Sequence, residues 1–320
     1  MFRILSFSLM LFASACISKP KEENNFPKLK SVKDLRNTDF VASLTTPFKS
    51  ENNLVYAVTI PIVWNKIKNE IGEPITNFSS KELEQLNSFT SYKDVLNPNE
   101  YQCSAEITEG EIKANASFKK LLPFAKPLEK FYRGLKFGNH LVESFGFLGE
   151  SSTAQINYFN SSDKFSISLF PENKEHEIIL IMHQDVKSPL NSFSEYLEVL
   201  EKESNFDESL AMQDKVEIPC LRFNLGKNYD EFIGSTFNTP NKTFEIISAY
   251  QRNAFVLNEK GAEVESEAYM AVTESIEETK NTYPKMMIFN KPFVIFLKRK
   301  DAKHPYFGVF VQNTELMLSK

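Results

Sequence analysis

The run EIILIM, Glu177–Met182, constrains the fold more than any other stretch of the chain. It has strand length, no polar alternation and no turn residue, so it predicts a strand covered on both faces. A chain that buries such a strand must supply a layer on either side of it. With 320 residues, 42% of them hydrophobic, there is apolar mass enough for a core of that kind. Twenty-nine Phe against one Trp and ten Gly indicate aromatic packing with few glycine turns.

Other segments fill in the class. KFSISLF alternates Phe165, Ile167 and Leu169 with serines, which predicts a half-buried strand with the serines outward. FSSKELEQLNSF predicts a short helix with Ser80 as N-cap and Leu83 and Leu86 on one face. Ser192 and Glu195 form a capping-box pattern ahead of Tyr196, Leu197 and Leu200, a second short helix. In ASFKKLLPFAKPLEKFYRGLKF, Pro123 and Pro127 break any single long helix. KVEIPCLRFNL slips phase, with Val216, Ile218 and Cys220 on one face and Leu221, Phe223 and Leu225 on another. A bulge at Pro219 is the expected cause. Near the C-terminus, Phe293–Leu297 and Tyr306–Val311 read as apolar strands flanking a basic turn. Lys298, Arg299, Lys300 and Lys303 there read as a solvated hairpin tip in preference to an anion site. The sum is an α+β fold, largely antiparallel, with helices packed on sheets and a buried C-terminal hairpin.

The N-terminus reads as an address. Met1–Phe2–Arg3 is weakly basic, and Ile4 to Ala15 is an apolar run too short for a membrane span. Ala13–Ser14–Ala15–Cys16 resembles a bacterial lipobox, with Cys16 as the lipidated residue of a signal peptide over 1–16. An ordinary signal peptide cleaved nearby is the alternative. Residues 17–35 are polar, carry Pro and Lys, and read as a flexible tether, leaving a single domain over 36–320. Ile17 is not the Asp that often retains lipoproteins at an inner membrane, so the expected location is the outer membrane or cell surface.

Composition and motifs exclude other classes. Net charge is −5 and no basic cluster interleaves with aromatics, so no nucleic-acid partner is expected. The four histidines are scattered, and no CxxC or metal-type spacing occurs, so no metal or other cofactor is expected. No GxSxG, HExxH, P-loop or GxGxxG occurs, so an enzyme is not expected. Cys103 and Cys220 are left open as a pair or as two separate thiols.

One stretch is less ordinary. In NEKGAEVESEAYMAV, Asn258–Val272, the odd positions Glu263, Glu265 and Glu267 alternate with Ala262, Val264, Ser266 and Ala268. Any half-buried edge strand followed by a solvated acidic loop reads this way. Four stretches together, however, resemble the serpins: KFSISLFPENKEHEIILIM, VEIPCLRFNLGKNYDEF, FVLNEKGAEVESEA and FNKPFVIFLKRKDAKHPYFGVFVQN. The Glu259–Gly261 turn and FNKPF (Phe289–Phe293) carry the likeness most specifically, and NNLVYAVTI matches an early strand of the family faintly. The family's YFKGxW segment has no counterpart, and the interval before the hinge is short, so the front half is reduced.

The resemblance implies a set of loop residues and their roles. Glu259, Gly261, Ala262, Val264, Ser266 and Ala268 would form the hinge of a reactive-loop-like segment over 259–288. The family's spacing from Glu259 puts the scissile residue near Ser275, and its spacing from Phe289 puts it near Asn281. Lys280 is the only basic residue between Gly261 and Lys285, which makes it the trypsin-like candidate. A strand entering a sheet with one buried face must keep charge off that face. The set Ala262, Val264, Ser266, Ala268, Met270 and Val272 satisfies this, and Glu274 ends it. The resemblance leaves two functions open. The first is a non-inhibitory binding or envelope protein on a lipid anchor, which the long acidic loop favours. The second is an inhibitor whose partner is a serine protease, acting by loop insertion.

Overall fold

The computed structural model describes residues 26–49, 51–108, 111–185, 187, 189–205, 209–264 and 284–320. The chain opens with β1 (Lys30–Ser31), β2 (Thr38–Val41) and β3 (Asn53–Ala57), then α1 (Thr59–Ile71) and α2 (Lys81–Ser88). Gly72, at φ 67°, ends α1 in the left-handed conformation that glycine adopts without strain. Ser80 caps α2 as expected, accepting from the Leu83 amide at 3.1 Å.

Strands dominate thereafter. A hairpin of β4 (Tyr101–Thr108) and β5 (Glu111–Phe118) leads into β6 (Lys120–Pro123), β7 (Glu129–Phe137) and β8 (His140–Leu148). Then come β9 (Ala154–Ser161), β10 (Lys164–Leu169), β11 (His176–His183) and α3 (Phe193–Glu203). β12 (Lys215–Pro219), β13 (Leu221–Asn228), the small hairpin β14 (Thr236–Asn238) and β15 (Thr243–Glu245), and β16 (Tyr250–Asn258) come next. The last are β17 (Gly261–Val264), β18 (Met286–Ile288), β19 (Phe293–Arg299) and β20 (Phe307–Val311).

Among the described residues three larger sheets hold most of these strands, and β4–β5 and β14–β15 each form a two-stranded sheet. The largest runs β2-β3-β20-β19-β11-β10-β9, with β11, the EIILIM strand, buried along its whole length except Glu177. The expected C-terminal hairpin is there: β19 and β20 pair antiparallel, Phe293 opposite Val311, in the middle of that sheet. A second sheet runs β1-β13-β16-β17-β6, and a third β18-β12-β8-β7. The class is α+β and largely antiparallel, with three α-helices among the described residues.

Several expectations are corrected. Ser166 and Ser168 of β10 are buried as deeply as their apolar neighbours, because hydrogen bonds compensate their loss of water. Ser166 Oγ donates to the Leu180 carbonyl at 3.0 Å, and Ser168 Oγ to Asn157 Oδ1 at 3.2 Å. The phase slip at Pro219 is no bulge. It is where the chain changes sheets, β12 pairing with β8 and β13 with β16, so each half keeps its own inward face. Of the capping box at α3 only one half forms. Ser192 Oγ accepts from the Glu195 amide at 3.3 Å, while the Glu195 carboxylate takes the Asn191 amide at 2.7 Å.

The C-terminal part of the expected tether is also structured. Phe26 and Val32 are buried, Lys30–Ser31 pair in parallel with Leu225–Gly226, and Asn224 Nδ2 donates to the Pro27 carbonyl. Two apolar side chains in a polar stretch suffice to dock it. Cys103 and Cys220 both carry free thiols. The basic turn is more tied down than a solvated tip. Lys298 lies 3.4 Å from Glu177, Arg299 pairs with Asp301, and Lys300 sits over the Phe170 ring.

Candidate functional site: the hinge strand and the groove beside β16

β16 leads through Glu259–Lys260 into β17, which folds back antiparallel against it, Val256 opposite Glu263 and Asn258 opposite Gly261. On its other side β17 pairs with β6, Gly261 opposite Pro123 and Val264 opposite Lys120. The turn is held from below by the chain leaving β6. The Phe124 amide donates to the Lys260 carbonyl at 2.9 Å and the Leu128 amide to that of Glu259 at 2.7 Å. Gly261 is required here. Its φ is 130°, and a Cβ would lie 2.4 Å from the Leu122 carbonyl oxygen, against backbone that cannot swing away.

Beyond Val256 the sheet opens. Among the described residues, Tyr250–Phe255 of β16 pair only with β13, and β5, one residue before β6, pairs only with β4. Between these two strand edges lies a groove of about 1460 Å³. Ala114–Phe118 of β5 and Tyr250–Ala254 of β16 line it, with Ile60, Val63, Trp64 and Ile67 of α1 and Phe237 and Phe244 of the small hairpin. Ile112, Ala114, Ala116 and Phe118 are the half-buried positions of β5 and alternate with exposed residues, which sets the apolar side of that strand toward the interior.

Buried polar groups fix both sides. Gln251 reaches from β16 to the start of α1, donating to the Ala57 carbonyl at 3.1 Å and to Thr59 Oγ1 at 2.7 Å. Its Oε1 accepts from the Tyr229 hydroxyl at 2.8 Å. Trp64 Nε1 donates to Asn87 Oδ1 at 3.3 Å, and its ring meets Phe237 edge-on at 5.3 Å. Near the turn, burial followed by the charges of Glu259 and Glu143 pushes the Cys220 thiol up to about 12, so it stays protonated.

Of the hinge residues named from sequence, Glu259, Gly261, Ala262 and Val264 fall together at the β16–β17 turn. Ala262 is buried, in the inward register expected of it. Ser266, Ala268, Ser275, Lys280, Asn281 and the lipidation candidate Cys16 lie outside the described residues. Sequence reasoning missed β6 and the groove. The alternation from Ile112 to Phe118 was a usable signal for one wall, whereas the placement of β6 beside β17 joins residues about 140 positions apart and has no local signature.

No protein-family model matches the chain, and no curated protein matches it. Solved structures do. A serpin from the trematode Schistosoma haematobium is similar at 15% identity and TM-score 0.38, over 63% of this chain and 56% of that one. Maspin is similar at 14% identity and TM-score 0.41, over 78% and 66%. Thyroxine-binding globulin, in complex with thyroxine, is similar at 10% identity and TM-score 0.39, over 63% and 56%. The likeness in fold is to serpins. This serpin-like chain spans less than two thirds of the length of each of the three. Between α2 and β6 its described residues hold only the β4–β5 hairpin.

Proposed function

We propose that this serpin-like chain is a binding protein of the cell envelope that does not trap proteases, exported and held to a membrane by lipid on Cys16. The observation that supports a non-trapping role is the length of the two strand edges beside the groove. Continuing the β16–β17 register, β16 ends opposite Tyr269. Continuing the β17–β6 register through β5, that wall ends opposite Thr273. Ser275, Lys280 and Asn281 lie past both limits, and Glu274 would be the next inward residue. Among the described residues, neither edge therefore extends far enough to pair with the last residues of a loop cut at any of the candidate bonds. The groove then serves as a standing surface for a partner, its apolar base supplied by α1.

The test is a form lacking residues 1–25, nicked by limited proteolysis between Ala262 and Lys285. An unchanged thermal midpoint, with no SDS-stable complex across a panel of serine proteases, supports a binding role. A large rise in midpoint together with a covalent complex overturns it. Palmitate labelling of the full chain, lost in Cys16→Ser, tests the anchor separately.

The inhibitor reading is favoured by a different observation: Gly261–Val264 already lie between two strands, and the alternate residues Ala262, Val264, Ser266 and Ala268 are uncharged. A bait bond at Lys280 would then direct the loop to trypsin-like enzymes, and the same complex-formation assay decides it.

A further inference from the structure

Glu100, the residue before β4, gathers groups from separate parts of the chain. Its Oε1 faces the Lys120 ammonium of β6 and lies 3.1 Å from Nε2 of His176 on β11. Its Oε2 accepts from the Asn97 amide at 2.6 Å and lies 3.9 Å from Nε of Arg299, the last residue of β19. The side chains of Glu100, Lys120, Arg299 and His176 are 10%, 13%, 12% and 0% exposed. Lys120 belongs to the hinge-strand sheet and stands opposite Val264, while His176 and Arg299 belong to the seven-stranded sheet. A single carboxylate thus joins the two sheets where β6 begins.

The surroundings leave that carboxylate without a substitute. From β11, Glu177 is engaged by Lys298 at 3.4 Å, and Glu175, the residue before that strand, acts on His176 through its charge. From the turn after β19, Asp301 pairs with Arg299 but is itself largely exposed. Tyr306 meets the His176 ring edge-on at 5.7 Å, and Phe118 of β5 packs against Tyr306. His176 Nδ1 and the Tyr306 hydroxyl are buried without hydrogen-bond partners. Once Glu100 is neutral, Lys120 and Arg299 remain as two cations in a poorly solvated space, and a protonated His176 adds a third.

We propose that Glu100 is an acid-sensitive clasp on β6, whose protonation detaches β6 from the seven-stranded sheet and frees the outer edge of the hinge strand β17. The direction is set by both titrating groups. Burial pushes the Glu100 carboxyl up, but Lys120 and the Asn97 amide outweigh it and hold it below the usual value of 4.5. Burial, then Lys120, pulls His176 below its usual 6.5 against the opposing pull of Glu100. Both groups bind protons more readily once released. The clasp is therefore complete above the ordinary histidine value and weakens as pH falls below it, first through His176 and then through Glu100. It acts within the sheets alone and does not depend on what the groove binds.

Hydrogen exchange on the full chain, corrected for intrinsic rates, tests it. Between about pH 7.5 and about pH 3.5, protection over Lys120–Pro123 and Gly261–Val264 should fall about tenfold relative to β19–β20, the larger part of it below the usual carboxylate value. Glu100→Gln should show the same local loss already near neutral pH. Glu100→Gln combined with Lys120→Met, which removes the stranded cation too, should recover it and abolish the step below the carboxylate range, leaving only the His176 step. Equal loss in β19–β20, or no loss in β6 and β17, overturns the proposal. Should Glu100→Gln fail to fold, the wild-type pH series and the double variant decide the matter by themselves.

Discussion

Gln251 Nε2 donates to the Ala57 carbonyl at 3.1 Å, so the strand beside the groove is tied to the strand end that enters α1. The same side chain accepts from Tyr229 and from Asn253 and donates to Thr59, which makes it a buried polar hub of that sheet. Gln251→Leu keeps the volume and strands the Tyr229 hydroxyl. We expect a loss of roughly 2–3 kcal/mol in denaturant unfolding, with the larger part recovered in Gln251→Leu combined with Tyr229→Phe.

Gly261→Ala is expected to break β17 from β6. The new Cβ would meet the Leu122 carbonyl oxygen, Pro123 Cα and the Phe124 amide nitrogen, all backbone, at a φ that side chains rarely adopt. Strain of about 1–3 kcal/mol is the expected scale. Cleavage by a broad-specificity protease should quicken at 261–264, and the unfolding midpoint should fall by a few degrees.

Trp64 is the chain's single tryptophan and lines the groove, so its fluorescence reports directly on occupancy. A peptide or apolar ligand entering the groove should shift its emission. Trp64→Ala removes the contact with Phe237 and should cost about 3–5 kcal/mol.

The thiols should differ in reactivity. Cys220 is buried and pushed up to about 12, whereas Cys103 is only half-buried, with burial raising it less. At mildly alkaline pH a thiol reagent should label Cys103 in the folded protein and reach Cys220 only on unfolding.

Asp39 provides an acid-side test away from the hinge. Burial pushes its carboxyl up, but Lys227 at 2.8 Å, the Phe40 amide and Lys49 together hold it below its usual 3.8. Its contribution is therefore present at neutral pH and lost as pH falls below that value. Lys227→Met should lower stability near neutral pH by roughly 1–2 kcal/mol, discounted for partial exposure, and should shrink the further loss on the acid side.

Features legible in the sequence came from local chemistry. EIILIM required cover on both faces, Ser80 announced a helix start, and Phe293–Leu297 with Tyr306–Val311 required a buried hairpin; each depends on residues close in sequence. The readings that failed depended on distant partners. Ser166 and Ser168 read as outward until Asn157 and the Leu180 carbonyl supplied their hydrogen bonds. The slip at Pro219 read as a bulge because nothing local says that β12 and β13 join different sheets. The hinge was legible through Gly261 and the alternation after it, whereas Glu100, Lys120, His176 and Arg299 are ordinary surface types whose convergence only the tertiary fold creates.

The position of β20 between β3 and β19 sets an order of assembly. Leu54 and Phe310 are neighbours in the finished sheet, yet the chain between them must first find its own arrangement. Until the residues near position 310 have emerged, β3 has an open edge where its central partner belongs, and the largest hydrophobic layer cannot close. Folding of this chain is thus gated late, and the half-made molecule exposes strand edges of the kind that invite mispairing before the final hairpin arrives.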